Sequence, residues 1–158
     1  MIRHTFRLVL IATGLALADT VALHAAAPSI LLVDRPGQQR PIVIAGYEEN
    51  AKLMHAIVDV TQVPTDALTG RSYVVVAMFW GPDWHQYLVD GKPLDALKLS
   101  DGNQHARFYP ASQAAPALFV FELTGPFANT AQRVGRTRLV HESGLEMLKK
   151  HGVVLTPR

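Results

Sequence analysis

The chain has 158 residues, of which 49% are hydrophobic and 18% charged, with a formal net charge of +2. This composition favours an ordered globular protein over a disordered one. Because no dense run of Lys and Arg occurs, nucleic acid is not expected as a partner. Cysteine is absent, which excludes a disulfide scaffold, a cysteine nucleophile and a cysteine-linked lipid anchor, so burial of apolar surface must hold the fold.

The N-terminus has the pattern of a secretory signal peptide. Arg3 and Arg7 precede an apolar stretch, residues 8–18, and small residues follow. The apolar stretch is shorter than the ~20 residues that a membrane span needs. An uncleaved membrane anchor is the alternative, but Asp19 and His24 interrupt any longer span.

Two Ala-x-Ala exits are available for the signal peptidase. One gives cleavage between residues 18 and 19, and the other gives cleavage between residues 27 and 28. A proline follows the second cut directly, which hinders the peptidase. We expect a signal peptide within residues 1–27, a single globular domain in residues 28–158, and a periplasmic or secreted protein with no stable membrane span after cleavage.

Two short apolar segments open the domain. They are residues 29–33 and residues 41–45, and the sequence Arg35-Pro36-Gly37 between them is typical of a turn. We predict two strands, arranged as a hairpin.

Residues 48–62 have the period of a helix. Apolar residues fill one side, and polar residues recur on the other at spacings of three and four: Lys52, His55, Asp59 and Gln62. Glu48 lies where the helix dipole favours a negative charge. The prediction is an amphipathic helix; the alternative is a strand, favoured by Ala56-Ile57-Val58 and Val60.

Residues 72–80 are the strongest strand in the sequence. No polar residue interrupts residues 74–79, so both faces of this strand are expected to be buried, as in a central strand. Gly81 and Pro82 end it. Because proline suits the first turn of a helix, we predict a short helix over residues 83–89.

The remaining segments predict three strands and a terminal helix. The strands are residues 104–109, residues 117–123 and, at an edge, residues 133–140. Ser143, with Glu146 three residues later, fits a capping box for a helix over residues 143–151. Gly152 suits the end of that helix, and residues 153–155 would add a last short strand.

These elements predict the α+β class. The expected fold is a single domain with a mainly antiparallel β-sheet, one helix near residues 48–62, a short helix near residues 83–89 and a C-terminal helix near residues 143–151. An all-β sandwich is the alternative, and it requires residues 48–62 to form a strand.

The sequence carries none of the standard catalytic signatures. It has no Gly-rich phosphate loop, no G-x-S-x-G elbow and no H-E-x-x-H motif. The five histidines after the signal segment are not paired at i,i+2 or i,i+4, so a metal site would need distant histidines to converge. We therefore assign no catalytic residue, no cofactor and no metal ligand, and we favour a protein that is not an enzyme.

Two stretches mix aromatic rings with planar hydrogen-bonding groups. They are residues 79–87, FWGPDWHQY, and residues 101–109, DGNQHARFY. Aromatic faces supply contact area and polar side chains fix the orientation of a sugar or a peptide end, and an arginine can take a carboxylate through two hydrogen bonds. The predicted ligand-binding residues are Trp84, His85, Tyr87, Asn103, His105, Arg107 and Tyr109.

The same residues also have a purely structural interpretation. Phe79 and Trp80 would close the core at the end of a strand, and Trp84 would pack the short helix on the sheet. Asn103 would only serve a turn.

Three hypotheses for the function follow. The first is a small exported envelope protein without enzymatic activity, which binds a glycan or peptidoglycan fragment or another envelope protein through the aromatic-polar surface. The second is a small periplasmic hydrolase in which a histidine, His85 or His105, works with an aspartate, Asp83 or Asp101, or with a metal ion. The third is a secreted inhibitor or immunity-type protein whose contact is the C-terminal third, where six basic residues stand against two acidic ones.

Overall fold

The computed structural model describes residues 27–59, 68–122 and 137–154. Within these ranges the strands form one seven-stranded antiparallel sheet, and three helices accompany it. The fold is therefore α+β with an antiparallel sheet, as predicted from the sequence. The all-β alternative is wrong, because residues 47–56 are helical.

The described part of the chain contains seven strands and three helices. The strands are β1 (Ile30–Val33), β2 (Ile42–Ala45), β3 (Ile57–Asp59), β4 (Val74–Phe79), β5 (Gln104–Tyr109), β6 (Leu118–Glu122) and β7 (Thr137–Val140). The helices are α1 (Tyr47–Ala56), α2 (Pro82–Val89) and α3 (Glu142–Lys150). Two 3₁₀ turns, Leu94–Ala96 and Leu99–Asp101, connect α2 to β5. The order in the sheet is β2-β1-β4-β5-β6-β7-β3.

Strand β4 lies inside the sheet, between β1 and β5, and is buried on both faces towards its end. Val76 and Met78 belong to one core cluster, whereas Ala77 and Phe79 belong to another on the opposite face. This arrangement explains the uninterrupted apolar run of the strand, because successive side chains enter two different cores.

The larger core lies between the sheet and the pair α1 and α3. Leu53 of α1 and Leu148 of α3 are fully buried in it, together with Phe108 and Phe119 from the sheet. The two helices approach closely at Gly144, where an added Cβ would lie 2.8 Å from the Cβ of Ala56.

The smaller core lies on the other face, under α2 and the two 3₁₀ turns. Ile30, Phe79 and Leu97 are buried there, and Trp84 and Leu88 of α2 pack against them. Helix α2 begins with Pro82 at its first position, as the sequence predicts.

The helix predicted over residues 48–62 is shorter in the structure. It ends at Ala56, and Ile57 begins the edge strand β3, which pairs with β7 through Ile57 and Val140. The β-branched side chains of Ile57 and Val58 favour the extended backbone that this pairing supplies. Residues 60–62 lie outside the described part of the chain.

Strand β7 differs from its prediction in its position. It pairs with β6 on one side and with β3 on the other, so it is not an edge strand. The prediction missed this because β3 was read as helix. Residues 123 and 133–136 of the predicted strands lie outside the described ranges.

The last helix has a different N-cap from the one predicted. His141 is the N-cap, and its Nδ1 accepts a hydrogen bond from the Ser143 backbone N–H at 3.4 Å. Gly152 has a φ of 83°, so it ends the helix in the left-handed conformation, as predicted. Val153 and Val154 are not in a strand, and residue 155 lies outside the described region.

Candidate functional site

Asn103 joins the end of β4 to the start of β5. Its Oδ1 accepts a hydrogen bond from the Trp80 backbone N–H at 2.8 Å, and its Nδ2 donates to the Trp80 carbonyl at 2.8 Å. The side chain thus imitates one more pair of the β-ladder. Both of its functional atoms are engaged by the backbone in this arrangement.

Trp84 and Tyr87 hold α2 on the sheet. The Trp84 ring meets the Phe79 ring edge-on, with 4.6 Å between centroids and 83° between planes. The Tyr87 ring lies 5.4 Å from Trp84, and its hydroxyl donates to the Pro93 carbonyl at 2.8 Å. Both residues contribute to the smaller core, while His85 lies half-buried on the same helix.

The three predicted residues of β5 alternate along the strand and therefore share one face of the sheet. A ring nitrogen of His105, Nε2, lies 2.7 Å from the Leu99 carbonyl and donates its proton to it. Arg107 is half-exposed, and Tyr109 is buried.

Tyr73, directly before β4, is the residue that brings Arg107 and Tyr109 together. The Arg107 guanidinium lies over the Tyr73 ring, 4.7 Å from its centroid, and the Tyr109 ring lies 5.4 Å away. The Arg71 guanidinium covers Tyr109 at 5.7 Å and donates to the Pro110 carbonyl at 2.8 Å. We call these four residues, Arg71, Tyr73, Arg107 and Tyr109, the Tyr73 cluster.

Arg107 already has an anionic partner. It forms an ion pair with Glu122 of β6, and hydrogen bonds to Tyr109 and Glu122 raise the pKa of its guanidinium above the ordinary value. The Nε of Arg107 is thus already engaged by Glu122. The guanidinium also lies over the Tyr73 ring and helps to hold that ring in place.

A cleft of about 260 Å³ opens beside Tyr73. It lies where β1 ends, β4 begins, β5 ends and the chain leaves α3. Twelve residues line it: Asp34, Arg35, Pro36, Gln38, Ile42, Ser72, Tyr73, Val74, Pro110, Gly152, Val153 and Val154. Most of these are aliphatic, aromatic or proline, and Asp34 and Arg35 supply opposite charges. We call this the Tyr73 cleft.

The structure divides the predicted surface into two groups. Trp84 contacts Phe79 at the end of β4, whereas Arg107 pairs with Val75 near its beginning. These two positions of β4 are four residues apart, which corresponds to about 13 Å along a strand. The first group contains five of the predicted residues, Trp84, His85, Tyr87, Asn103 and His105. The other two, Arg107 and Tyr109, belong to the Tyr73 cluster.

Sequence reasoning did not find Tyr73, Asp34 or Val154. Each lies on a different segment, and no local period or motif connects them. A usable signal existed in Tyr73 itself, an aromatic residue at the start of the strongest predicted strand and directly before its apolar run.

The hydrolase hypothesis requires His85 and His105 to share one pocket. Neither histidine lines the Tyr73 cleft, and His105 is bonded to the Leu99 backbone. In the described residues, no three His, Asp or Glu side chains lie close enough together to hold a metal ion.

The basic C-terminal third is only partly described. Lys149 and Lys150 are exposed at the end of α3, and Lys150 forms an ion pair with Glu49 of α1 at 3.0 Å. Three other basic residues of that third, Arg133, Arg136 and Arg158, lie outside the described ranges.

Comparison with known proteins gives no relative for this chain. No family model, no curated protein and no solved structure matches it. Among the helices of residues 27–59, 68–122 and 137–154, none has the length and apolar character to cross a membrane.

Proposed function

We propose that the protein is a small exported binding protein without enzymatic activity, and that it holds a cell-wall ligand in the Tyr73 cleft. The observation that carries this proposal is the distribution of exposed apolar side chains. Three large ones are exposed in the described chain, Tyr73 at 43%, Val154 at 56% and Val89 at 65%. Two of them line the same cleft, and clustered exposed apolar surface in a concavity is typical of a binding site.

The Tyr73 ring is prepared for contact with a ligand. Arg107 and Tyr109 pack against it, so the ring keeps its position although it faces solvent. A ring that is already ordered loses little conformational entropy when a ligand covers it, which favours binding.

The lining of the cleft favours a peptide over a sugar. Ile42, Val74 and Val153 form an aliphatic wall, whereas a sugar needs many hydrogen-bonding groups. Asp34 and Arg35 lie at the same cleft and complement the ammonium and carboxylate groups that a short peptide carries. The ligand we propose is therefore the peptide part of a peptidoglycan fragment.

The test is an NMR titration of the isotope-labelled protein with soluble peptidoglycan fragments. Three probes are compared: the intact glycan-peptide fragment, its free peptide and its free glycan. We expect the first two to shift the amide signals of Asp34, Tyr73 and Val154, and the glycan to leave them in place.

Substitutions at Tyr73 test whether the ligand binds in the cleft. Tyr73→Ala removes the ring and is expected to weaken binding at least tenfold, because an aromatic contact of this size contributes about 1.4 kcal/mol or more. Tyr73→Phe keeps the ring and should bind within about twofold. Val89→Ala changes another exposed apolar residue, one that does not line the cleft; it is the control and should not change the affinity.

Two results would refute the proposal. One is an unchanged affinity of Tyr73→Ala in a protein that is still folded by circular dichroism. The other is the absence of any shift with all three probes. If only the free glycan gave saturable shifts, the cleft would still be a binding site, but its proposed ligand, the peptide, would be wrong.

A further inference from the structure

Two residues of opposite charge line the Tyr73 cleft next to each other in the chain. Of the twelve lining residues, Asp34 and Arg35 are the ones that carry a charge. Asp34 is half-buried and Arg35 is exposed. Within the described part of the chain, neither side chain forms an ion pair or a hydrogen bond, and the two do not pair with each other.

Hydrogen bonds of the backbone fix the position of this pair. The Asp34 N–H donates to the Val75 carbonyl at 2.8 Å, which continues the pairing of β1 with β4 by one residue. The Arg35 carbonyl accepts from the Gln38 N–H at 2.8 Å, in the turn that follows β1. The fold thus orders the backbone of both residues and leaves their charged groups without a partner.

The size and the lining of the cleft limit what it can recognise. Its volume of about 260 Å³ is below the range of roughly 300–1,000 Å³ that is usual for drug-sized ligands, so it has room for one residue of a peptide and not for a whole fragment. Ile42, Val74 and Val153 supply aliphatic contacts. A long side chain packs its methylene groups on such a surface and keeps its charged end among polar groups.

We infer that the Tyr73 cleft binds the side chain of a diamino acid residue and recognises the free amino-acid group at the end of that side chain. This inference rests on the proposed function and names the part of the peptide that is bound. The group carries an ammonium and a carboxylate on one carbon, as in diaminopimelate. Asp34 binds the ammonium and Arg35 binds the carboxylate through charge-assisted hydrogen bonds.

The chemistry of a glycan-peptide fragment selects this group. The N-terminal nitrogen of the peptide is joined to the sugar through an amide, so it carries no charge. The amine of the diamino acid is protonated at neutral pH and is the ammonium that the fragment offers to Asp34. In a cross-linked peptide this amine is acylated and loses its charge. The protein is therefore expected to bind uncross-linked peptides and to reject cross-linked ones.

The experiment is isothermal titration calorimetry of the purified protein with three disaccharide-tripeptide fragments. The first carries diaminopimelate, and the second carries the same residue with its side-chain amine acetylated. The third carries lysine, which has the ammonium but lacks the carboxylate beside it. We expect the first fragment to bind about tenfold or more tightly than either of the others, because each of those lacks one charge-assisted contact.

Two substitutions assign each charge to its ligand group. Asp34→Asn should abolish the preference for the free over the acetylated amine and keep the preference for diaminopimelate over lysine. Arg35→Gln should do the reverse. Partial unfolding would not produce this crossed pattern, since it would weaken all three fragments alike. Arg40→Gln changes an exposed residue between β1 and β2 that does not line the cleft; it is the control and should keep both preferences.

The outcomes separate this inference from the proposed function. Equal binding of the three fragments to the wild type would overturn the inference and leave the peptide site standing. Retention of the preference for the free amine in Asp34→Asn, or of the preference for diaminopimelate in Arg35→Gln, would also overturn it. If none of the three fragments binds, both the inference and the proposed function are wrong.

Discussion

Asn50 is a buried polar residue that connects three parts of the fold. Its Nδ2 donates to the carbonyls of Pro28 and Ile44, at 2.9 Å and 3.3 Å, from a position on α1. The side chain therefore fixes the segment before β1 and the end of β2 to the helix. Polar groups that are buried in this way contribute to stability mainly because an unpaired partner would be unfavourable.

Substitution of Asn50 should destabilise the protein in a graded way. Asn50→Ala leaves both carbonyls without this donor and should lower the free energy of unfolding by about 1–3 kcal/mol. Asn50→Asp should be worse, because a buried carboxylate would face two carbonyl oxygens. Urea unfolding measures both values. His55→Ala, at an exposed position of the same helix, is the control and should stay within about 0.5 kcal/mol of the wild type.

A stability of Asn50→Ala equal to that of the wild type would contradict this description. It would mean that the two carbonyls find other donors, or water, when the side chain is absent.

Roles that depend on neighbours along the chain could be predicted from the sequence. Roles that depend on contacts between distant segments could not. The structural interpretation of Trp84, which packs α2 on the sheet, followed from its spacing on a short helix. The contact of Arg107 with Tyr73 joins a residue of β5 to one that precedes β4, and no local pattern encodes that pairing. The cleft was missed for the same reason, because its lining comes from four separate segments.

At the element scale, the boundary between α1 and β3 is a place where a helical period and a preference for strand occur next to each other in the sequence. Residues 48–56 have a helical period, and Ile57 and Val58 favour a strand. The structure contains both, and the helix ends at Ala56 without an intervening loop. The change from helix to strand occurs where β7 lies beside residues 57–59. A prediction from local sequence cannot include that neighbour.

The contact between α1 and α3 depends on Gly144. A Cβ at this position would lie 2.8 Å from the Ala56 Cβ and 3.1 Å from Val140 Cγ1. Gly144→Ala should therefore destabilise the protein by about 1 kcal/mol or more, since overpacking outweighs the gain of about 1 kcal/mol in helix propensity. Thermal unfolding is the measurement. Glu146→Ala, exposed on the same helix, is the control for propensity alone, and a stabilised Gly144→Ala protein would disprove the tight contact.

A second connection between these helices is electrostatic. Glu49 of α1 lies 3.0 Å from Lys150 Nζ and 3.1 Å from His151 Nε2, at the end of α3. Lys52 lies 3.1 Å from the other carboxylate oxygen. Hydrogen bonds from Lys150, His151 and Lys52, in that order of importance, lower the pKa of Glu49 from 4.5 to about 2.

This lowered pKa predicts a specific dependence of stability on pH. A carboxyl whose pKa is lower in the folded state stabilises the fold above its unfolded pKa, and the stabilisation is lost as the pH falls through the folded pKa. Glu49→Gln should thus be less stable than the wild type at pH 6, and the difference should vanish between about pH 4.5 and pH 2. Urea unfolding across this range measures it. Glu48→Gln, at the exposed neighbouring position, serves as control, and a Glu49→Gln deficit that persists unchanged to pH 2 would contradict the ion-pair account.

At the scale of the whole molecule, α1 carries the chain from one edge of the sheet to the other. Strands β2 and β3 are the two edges, and they are joined through this helix alone. Seven strands would place the edges of a flat sheet roughly 29 Å apart. A helix of 10 residues spans only about 15 Å, so the sheet must curl around α1.

The sequence predicted the fold class but not this architecture. Alternation, turn residues and helix caps are local properties, and they predicted most of the strands and all three helices. The order of the strands depends on which edges meet, and that is decided by burial of α1 and α3 in one common core. The Tyr73 cleft also depends on the tertiary arrangement. It forms where the C-terminal ends of β1 and β5 and the beginning of β4 meet the chain that leaves α3.

The central claim is that the Tyr73 cleft holds a peptide fragment of the cell wall. Native mass spectrometry of the protein purified from its own cell envelope tests it most directly, with Tyr73→Ala and Val89→Ala purified in the same way. We predict an added mass that matches a peptidoglycan peptide on the wild type and on Val89→Ala, and its loss from Tyr73→Ala. Bare protein in all three preparations, or an adduct that persists on Tyr73→Ala, would contradict the account.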